Sequence, residues 1–161
     1  MAISFNFGTG AQGTGVTKTL KPWEYTTAFR TVSDSGTLAR MTDILAPLDK
    51  KTTIKVTLDK IANVYSTLAD GNVPVSAQSA NTSGHTVFAE LKTIATKTVG
   101  TDIIQLPMVA RIELRLPDDA DIAESDIDTL ILAAYAALCN STGTPVVVTE
   151  KMRGALTPVG I

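Results

Sequence analysis

The two side-chain types that most often carry chemistry each occur once, as His85 and Cys139. One His cannot build a multi-His metal site, and one Cys supplies neither an intramolecular disulfide nor a Cys-based zinc site. His85 stands between Gly84 and Thr86 in a polar stretch, where a solvated loop residue is the plain expectation. Cys139 falls at the end of an apolar helical pattern, where a buried thiol is the default. A Ser-His-Asp arrangement has no G-x-S-x-G elbow behind it. The string GTGAQG at 8–13 matches G-x-G-x-x-G, and its chemistry would be to hold a pyrophosphate on the amides that open a helix. The segment after it, VTKTLKP at 16–22, is instead strand-like and ends in proline. A hairpin turn fits that context, and a cytoplasmic nucleotide-binding α+β enzyme using this turn is the alternative. There is no Gly-Lys-Ser/Thr for a P-loop. No catalytic residue, metal or cofactor is expected.

Charge offers a different chemistry. The chain holds 14 Lys and Arg against 16 Asp and Glu, a net of −2, which argues against a generic nucleic-acid binder. The acids are not evenly spread. PDDADIAESDID at 117–128 contains Asp118, Asp119, Asp121, Glu124, Asp126 and Asp128 and no base. Without those six, 14 bases face 10 acids, a net of +4. Acids before a helix complement its N-terminal dipole. Their spacing does not fit the D-x-[DN]-x-[DN]-G calcium loop.

The bases recur on alternating positions of strand-like segments. The polar sets are Thr53, Lys55 and Thr57; Glu90 and Lys92; and Arg111, Glu113 and Arg115. A solvated face is normal for an antiparallel sheet. The functional reading is a basic, Thr-rich platform, in which Lys and Arg supply charge to phosphates and Thr supplies hydrogen bonds.

Positioning those side chains is the task of the surrounding elements. AISFNF at 2–7 alternates as a strand, GTGAQGTG at 8–15 turns, and VTKTLK at 16–21 pairs back, giving an N-terminal hairpin. Residues 23–33 place Trp23, Tyr25 and Phe29 at even spacing, as another strand. Residues 37–46 are ambiguous, since Leu38, Met41 and Leu45 suit a short helix. Residues 51–61 alternate strictly, with Ile54, Val56 and Leu58 on one side. Residues 66–85 are expected to be a long loop, 86–94 a strand, 98–107 another loop, and 109–116 a strand with Ile112, Leu114 and Leu116 on its apolar side.

A helix is expected over about 125–139, with Ser125 as its cap. Ile127, Leu130, Ile131, Ala134, Tyr135 and Leu138 form its apolar stripe. Thr144-Pro145 opens a second short helix running to about Gly154. Strands and then helices make the class α+β. At 161 residues the chain fits one domain, comprising a hairpin (1–21), a sheet of about five antiparallel strands (23–117) and helices (124–156). No run of ~18 apolar residues offers a membrane span, and no signal peptide is evident at MAISFNF.

The order of these elements, with the local sequence, resembles the coat proteins of single-stranded RNA bacteriophages (leviviruses). The stretch that carries it best is ATKTVGTDIIQLP at 95–107 with MVARIELRLP at 108–117. It looks like the family's Ala-Thr-x-Thr-Val-Gly loop, its Leu-Pro and its last sheet strand. ESDIDTLILAAYAALCNSTGTP at 124–145 falls where the family has its long helix, turn and short final helix, and ALTPVGI at 155–161 is similar to its hydrophobic tails. The excess length falls in the loop at 66–85.

The resemblance implies an intertwined homodimer with one continuous antiparallel sheet and with each subunit's helices packed on the partner's sheet. It implies self-assembly into an icosahedral shell that packages single-stranded RNA, including a genomic hairpin. Thr53, Lys55, Thr57, Glu90, Lys92, Arg111 and Arg115 would face RNA. Ile127, Leu130, Ile131, Ala134, Tyr135 and Leu138 would form the dimer interface, and the loop at 97–107 would lie near symmetry axes. The expected place is the virion capsid, assembled in the cytoplasm of a bacterial host, with no membrane partner.

Overall fold

The computed structural model describes residues 17–68, 73–140 and 142–156. The expected strand at 2–7 and the string GTGAQG lie outside them. The chain divides into two compact units, Pro22–Asp118 and Met1–Lys21 with Asp119–Ile161.

The first unit is an antiparallel sheet. Its strands are β1 (Phe29–Asp34), β2 (Leu38–Asp43), β3 (Thr53–Ile61), β4 (Gly84–Val99) and β5 (Asp102–Pro117), in spatial order β1-β2-β3-β4-β5. Strict alternation makes β3 a strand with one apolar side, and Ile54 is buried on that side. A short helix, α1 (Tyr25–Ala28), precedes β1, so the strand expected over 23–33 is confined to its second half. The even spacing of Trp23, Tyr25 and Phe29 serves an aromatic cluster instead: the Trp23 and Phe29 rings meet edge to face with centroids 5.4 Å apart. The ambiguous stretch 37–46 contains β2, which pairs with β1 and β3 on its two sides.

The expected loop at 98–107 is corrected most. β4 and β5 pair without a break from Gly84↔Pro117 to Val99↔Asp102, leaving only Gly100 and Thr101 as the turn. Gly100 takes a positive φ of 64°, which glycine adopts at no steric cost. Pro107 lies within β5 because β5 is a sheet edge, where proline is tolerated. The stretch 66–85 is also less irregular than expected. It overlaps the end of a helical turn, α2 (Val64–Thr67), capped by the Asn63 side chain, and includes a 3-10 turn at Val75–Ala77.

In the second unit α3 spans Glu124–Ala136. Ser125 does not cap it. The N-cap is Ala123, whose N–H donates to Asp126 Oδ2 at 2.9 Å, so a first-turn carboxylate closes the helix start. No residue of α3 is buried. After α3, Asn140 Oδ1 accepts from the Thr142 and Thr144 amides, while Cys139 and Val146 are buried together beside it. The second helix expected after Pro145 is a series of turns ending in a 3-10 turn at Lys151–Arg153. Among the described residues no helix is long and apolar enough to cross a membrane.

Candidate nucleic-acid interface

Side chains alternate across a strand, so the register decides which of them share a face. One row across the sheet reads Thr42, Thr53, Lys92, Val109, and the next reads Arg40, Lys55, Glu90, Arg111. Then come Leu38, Thr57, Phe88, Glu113, and finally Asp59, Thr86, Arg115. All seven residues predicted to face RNA therefore lie on one side of the sheet. The opposite side carries Met41, Ile54, Leu91 and Ala110, then Ala39, Val56, Ala89 and Ile112, then Leu58, Val87 and Leu114. The division expected from alternation holds across the middle of β3 and the second half of β5, while β4 breaks it with Phe88 on the polar side and His85 on the apolar one.

Sequence reasoning missed two bases on the polar side. Arg40 on β2 is the direct cross-strand neighbour of Lys55, and Arg30 on β1 is paired with Thr42. Their side of the sheet then carries six bases (Arg30, Arg40, Lys55, Lys92, Arg111, Arg115) against Asp59, Glu90 and Glu113. The missing signal was β2 itself, whose segment LARMTD does not separate apolar from polar positions cleanly.

Glu90 sits at the centre of this face and is only 8% exposed. Its Oε2 accepts from Arg111 Nε at 2.8 Å and its Oε1 from Lys92 Nζ at 3.0 Å. The Arg111 guanidinium, then the Lys92 ammonium, hold its carboxyl below the ordinary glutamate range. Arg115 Nε donates to Glu113 at 2.6 Å on the same face. Arg111 itself stays 62% exposed, and its Nη groups have no hydrogen-bond partner among the described residues.

His85 lies on the apolar side, across from Lys60 and Leu116. It is not a free loop residue, because its Nδ1 contacts Asp118, whose other oxygen accepts from Ser83 Oγ at 2.8 Å. The Ser83 hydroxyl, then His85, hold the Asp118 carboxyl below its ordinary range. These three residue types meet in the wrong order for nucleophilic chemistry. The hydroxyl donates to the carboxylate, so no imidazole takes its proton. The arrangement ties the start of β4 to the end of β5. Two further members of the acidic segment have structural uses: Asp119 accepts from the Asp121 amide, and Asp126 caps α3.

The stripe predicted for the dimer interface falls on α3 and just beyond it. Ile127, Leu130 and Ile131 are half-buried, whereas Ala134, Tyr135 and Leu138 are exposed. Lys18 Nζ lies over the Tyr135 ring at 5.9 Å and donates to the Gly143 carbonyl at 2.9 Å.

No family model and no curated protein sequence matches this chain. Solved structures do. The virus-like particle of bacteriophage AVE015 aligns with a TM-score of 0.83 at 22% identity, over 100% of this chain and 99% of that one. The virus-like particle of bacteriophage GQ-112 aligns with a TM-score of 0.74 at 15% identity, over 96% of each chain. The likeness spans both units of the chain, and with it the resemblance to bacteriophage coat proteins holds at the level of the fold: this chain has the fold of the chains that build those bacteriophage virus-like particles.

Proposed function

We propose that the chain is the coat protein of a single-stranded RNA bacteriophage. It dimerises, closes into an icosahedral shell in the host cytoplasm, and holds RNA on the polar face of its sheet. It is a structural protein of the virion and not an enzyme. The observation that carries the reading is the sheet's two-sidedness at an open edge. Six bases gather on one face, while the middle of the other face is apolar. The edge strand β5 leaves Met108, Val109 and Ile112 about half exposed, at 50, 53 and 49%. An exposed edge of 16 residues is a template for a further strand, and a second copy of the same strand is self-complementary to it. The apolar stripe of α3 is then available to the partner's sheet. The fold shared with two virus-like particles supports the same conclusion.

The test is expression of the full chain in bacteria, with size exclusion and electron microscopy as readouts. Closed particles are expected, with an absorbance ratio showing nucleic acid and with RNA recovered on extraction. A stable species of 16.9 kDa with no particles would overturn the capsid reading. Particles devoid of RNA would overturn the packaging part alone.

A further inference from the structure

The six bases of the polar face are not in one electrostatic state. Lys92 and Arg111 share the buried Glu90 carboxylate, one on each oxygen, and Arg115 is paired with Glu113. Arg30, Arg40 and Lys55 have no carboxylate within ion-pair distance among the described residues. Arg40 and Lys55 are moreover directly opposite each other, an arrangement that costs stability unless an anion lies between or above them. Lys55 is in turn directly opposite Glu90 on its other side, yet Glu90 has both oxygens engaged elsewhere.

We infer that Glu90 divides this face into two sets. Arg30, Arg40 and Lys55 form a free set that grips RNA phosphates by charge. Lys92 and Arg111 form a held set, half of whose charge Glu90 balances and whose direction it fixes. Glu90 is thus a positioning residue. Nearly buried behind its two bases, it holds Arg111 at Nε and leaves the two Nη groups for hydrogen bonds to a phosphate or base edge. Counterion release comes from unbalanced cations, three in the free set against one in the held set, so most of the salt dependence of binding belongs to the β1–β3 side of the sheet, and the β5 side adds orientation. The inference rests on the reading of this face as RNA-binding.

Its test measures the affinity of the full chain, stripped of host nucleic acid, for a single-stranded RNA of mixed sequence between 50 and 200 mM salt. Each phosphate contact to a single strand contributes about 0.7 to the slope of log affinity against log salt. Arg40→Gln is expected to lower the slope by about 0.7, and Arg40→Lys, which keeps the charge, to leave affinity and slope nearly unchanged. Arg111→Lys also keeps the charge but loses the fork that Glu90 holds, so it is expected to weaken binding several-fold at both salt limits with the slope unchanged. Glu90→Gln removes one negative charge. It is expected to tighten binding at 50 mM and steepen the slope by up to about 0.7, a further loss of about 2.6-fold across that salt range. A merely structural role for Glu90 predicts the opposite, weaker binding with no gain in slope. Equal effects of Arg40→Lys and Arg111→Lys would overturn the division without recourse to any change at the buried Glu90. Should Glu90→Gln fold poorly by circular dichroism, the two lysine variants decide alone. Absence of salt-dependent RNA binding by the unmodified chain would overturn the RNA reading, and this inference with it. Binding with equal effects of those two lysine variants overturns this inference only.

Discussion

Gly84→Ala puts one methyl group into the tightest place in the sheet. Gly84 opens β4 opposite Pro117, and a Cβ built there would lie 2.4 Å from the Leu116 carbonyl oxygen, 2.5 Å from Val64 Cγ1 and 3.1 Å from Pro117 Cα. Two of those atoms are backbone of the paired strand and cannot turn away. Val64 is only 5% exposed, so its methyl has little room either. Glycine inside a strand marks such a close approach of another backbone. Overpacking of this kind costs about 1–3 kcal/mol, and two contacts far inside van der Waals distance place this site near the upper end. The narrower unfolded ensemble of alanine returns only about 0.4–1 kcal/mol. A net loss of about 2 kcal/mol shifts Tm by roughly 4–8 °C in a chain of this size. The assay is thermal unfolding by circular dichroism at matched concentration and scan rate. Val64→Ala in the same background relieves one contact but not the carbonyl one, so the double-mutant cycle should show a favourable coupling of about 1 kcal/mol. A Tm unchanged within about 1 °C, or strictly additive single effects, would show that the sheet opens freely at this point and that the steric argument is wrong.

Four further outcomes are expected. Glu90 and Asp118 titrate below their ordinary values of 4.5 and 3.8, so their contribution is present above those values and is lost as pH falls through the lower folded-state values. Urea midpoints should therefore drop below about pH 4.5, and equal midpoints at pH 6 and pH 3 would contradict this. Asn63→Ala removes an acceptor for the Tyr65 and Ser66 amides and should cost about 1 kcal/mol, measurable as a lower urea midpoint. Leu130→Ser with Ile131→Ser should release monomers on size exclusion and abolish particles; intact dimers would remove α3 from the proposed interface. Lys55→Ala should package less RNA into particles of normal size, and a normal RNA content would count against the polar face.

The legible parts of this fold were those where local pattern and tertiary environment agree. Ile54, Val56 and Leu58 alternate with Thr53, Lys55 and Thr57 because β3 is central and its two faces meet different surroundings. Ile112 and Leu114 alternate in the same way with Arg111 and Glu113, on the edge strand β5. β2 was not legible, because Leu38 lies on the polar face beside Thr57 and Ala39 on the apolar one, so its composition carries no clean period. The stretch around Gly100 and Pro107 looked like a loop because both residues punctuate structure locally. Sixteen-residue pairing along β4 and β5 overrides them, and pairing is a non-local fact. The candidate face was readable from alternation, but the state of its charges was not. Glu90 stands two residues from Lys92 in sequence, whereas its bond to Arg111 exists only once the β4–β5 register is known.

The two borders of the sheet are unequal, and that inequality sets how many copies can join. The border at β1 is six residues long and loses register between Thr31 and Ser33, where Val32 stands out of the ladder. A short, bulged border is a poor seat for an incoming strand. The border at β5 is long and keeps its register throughout. In the proposed dimer each molecule thus has a valency of one for strand pairing. When two copies meet along β5 both valencies are spent, and the doubled sheet presents only its two blunt borders to the medium. At high concentrations of the chain, that limit separates a finite building block from a growing fibre.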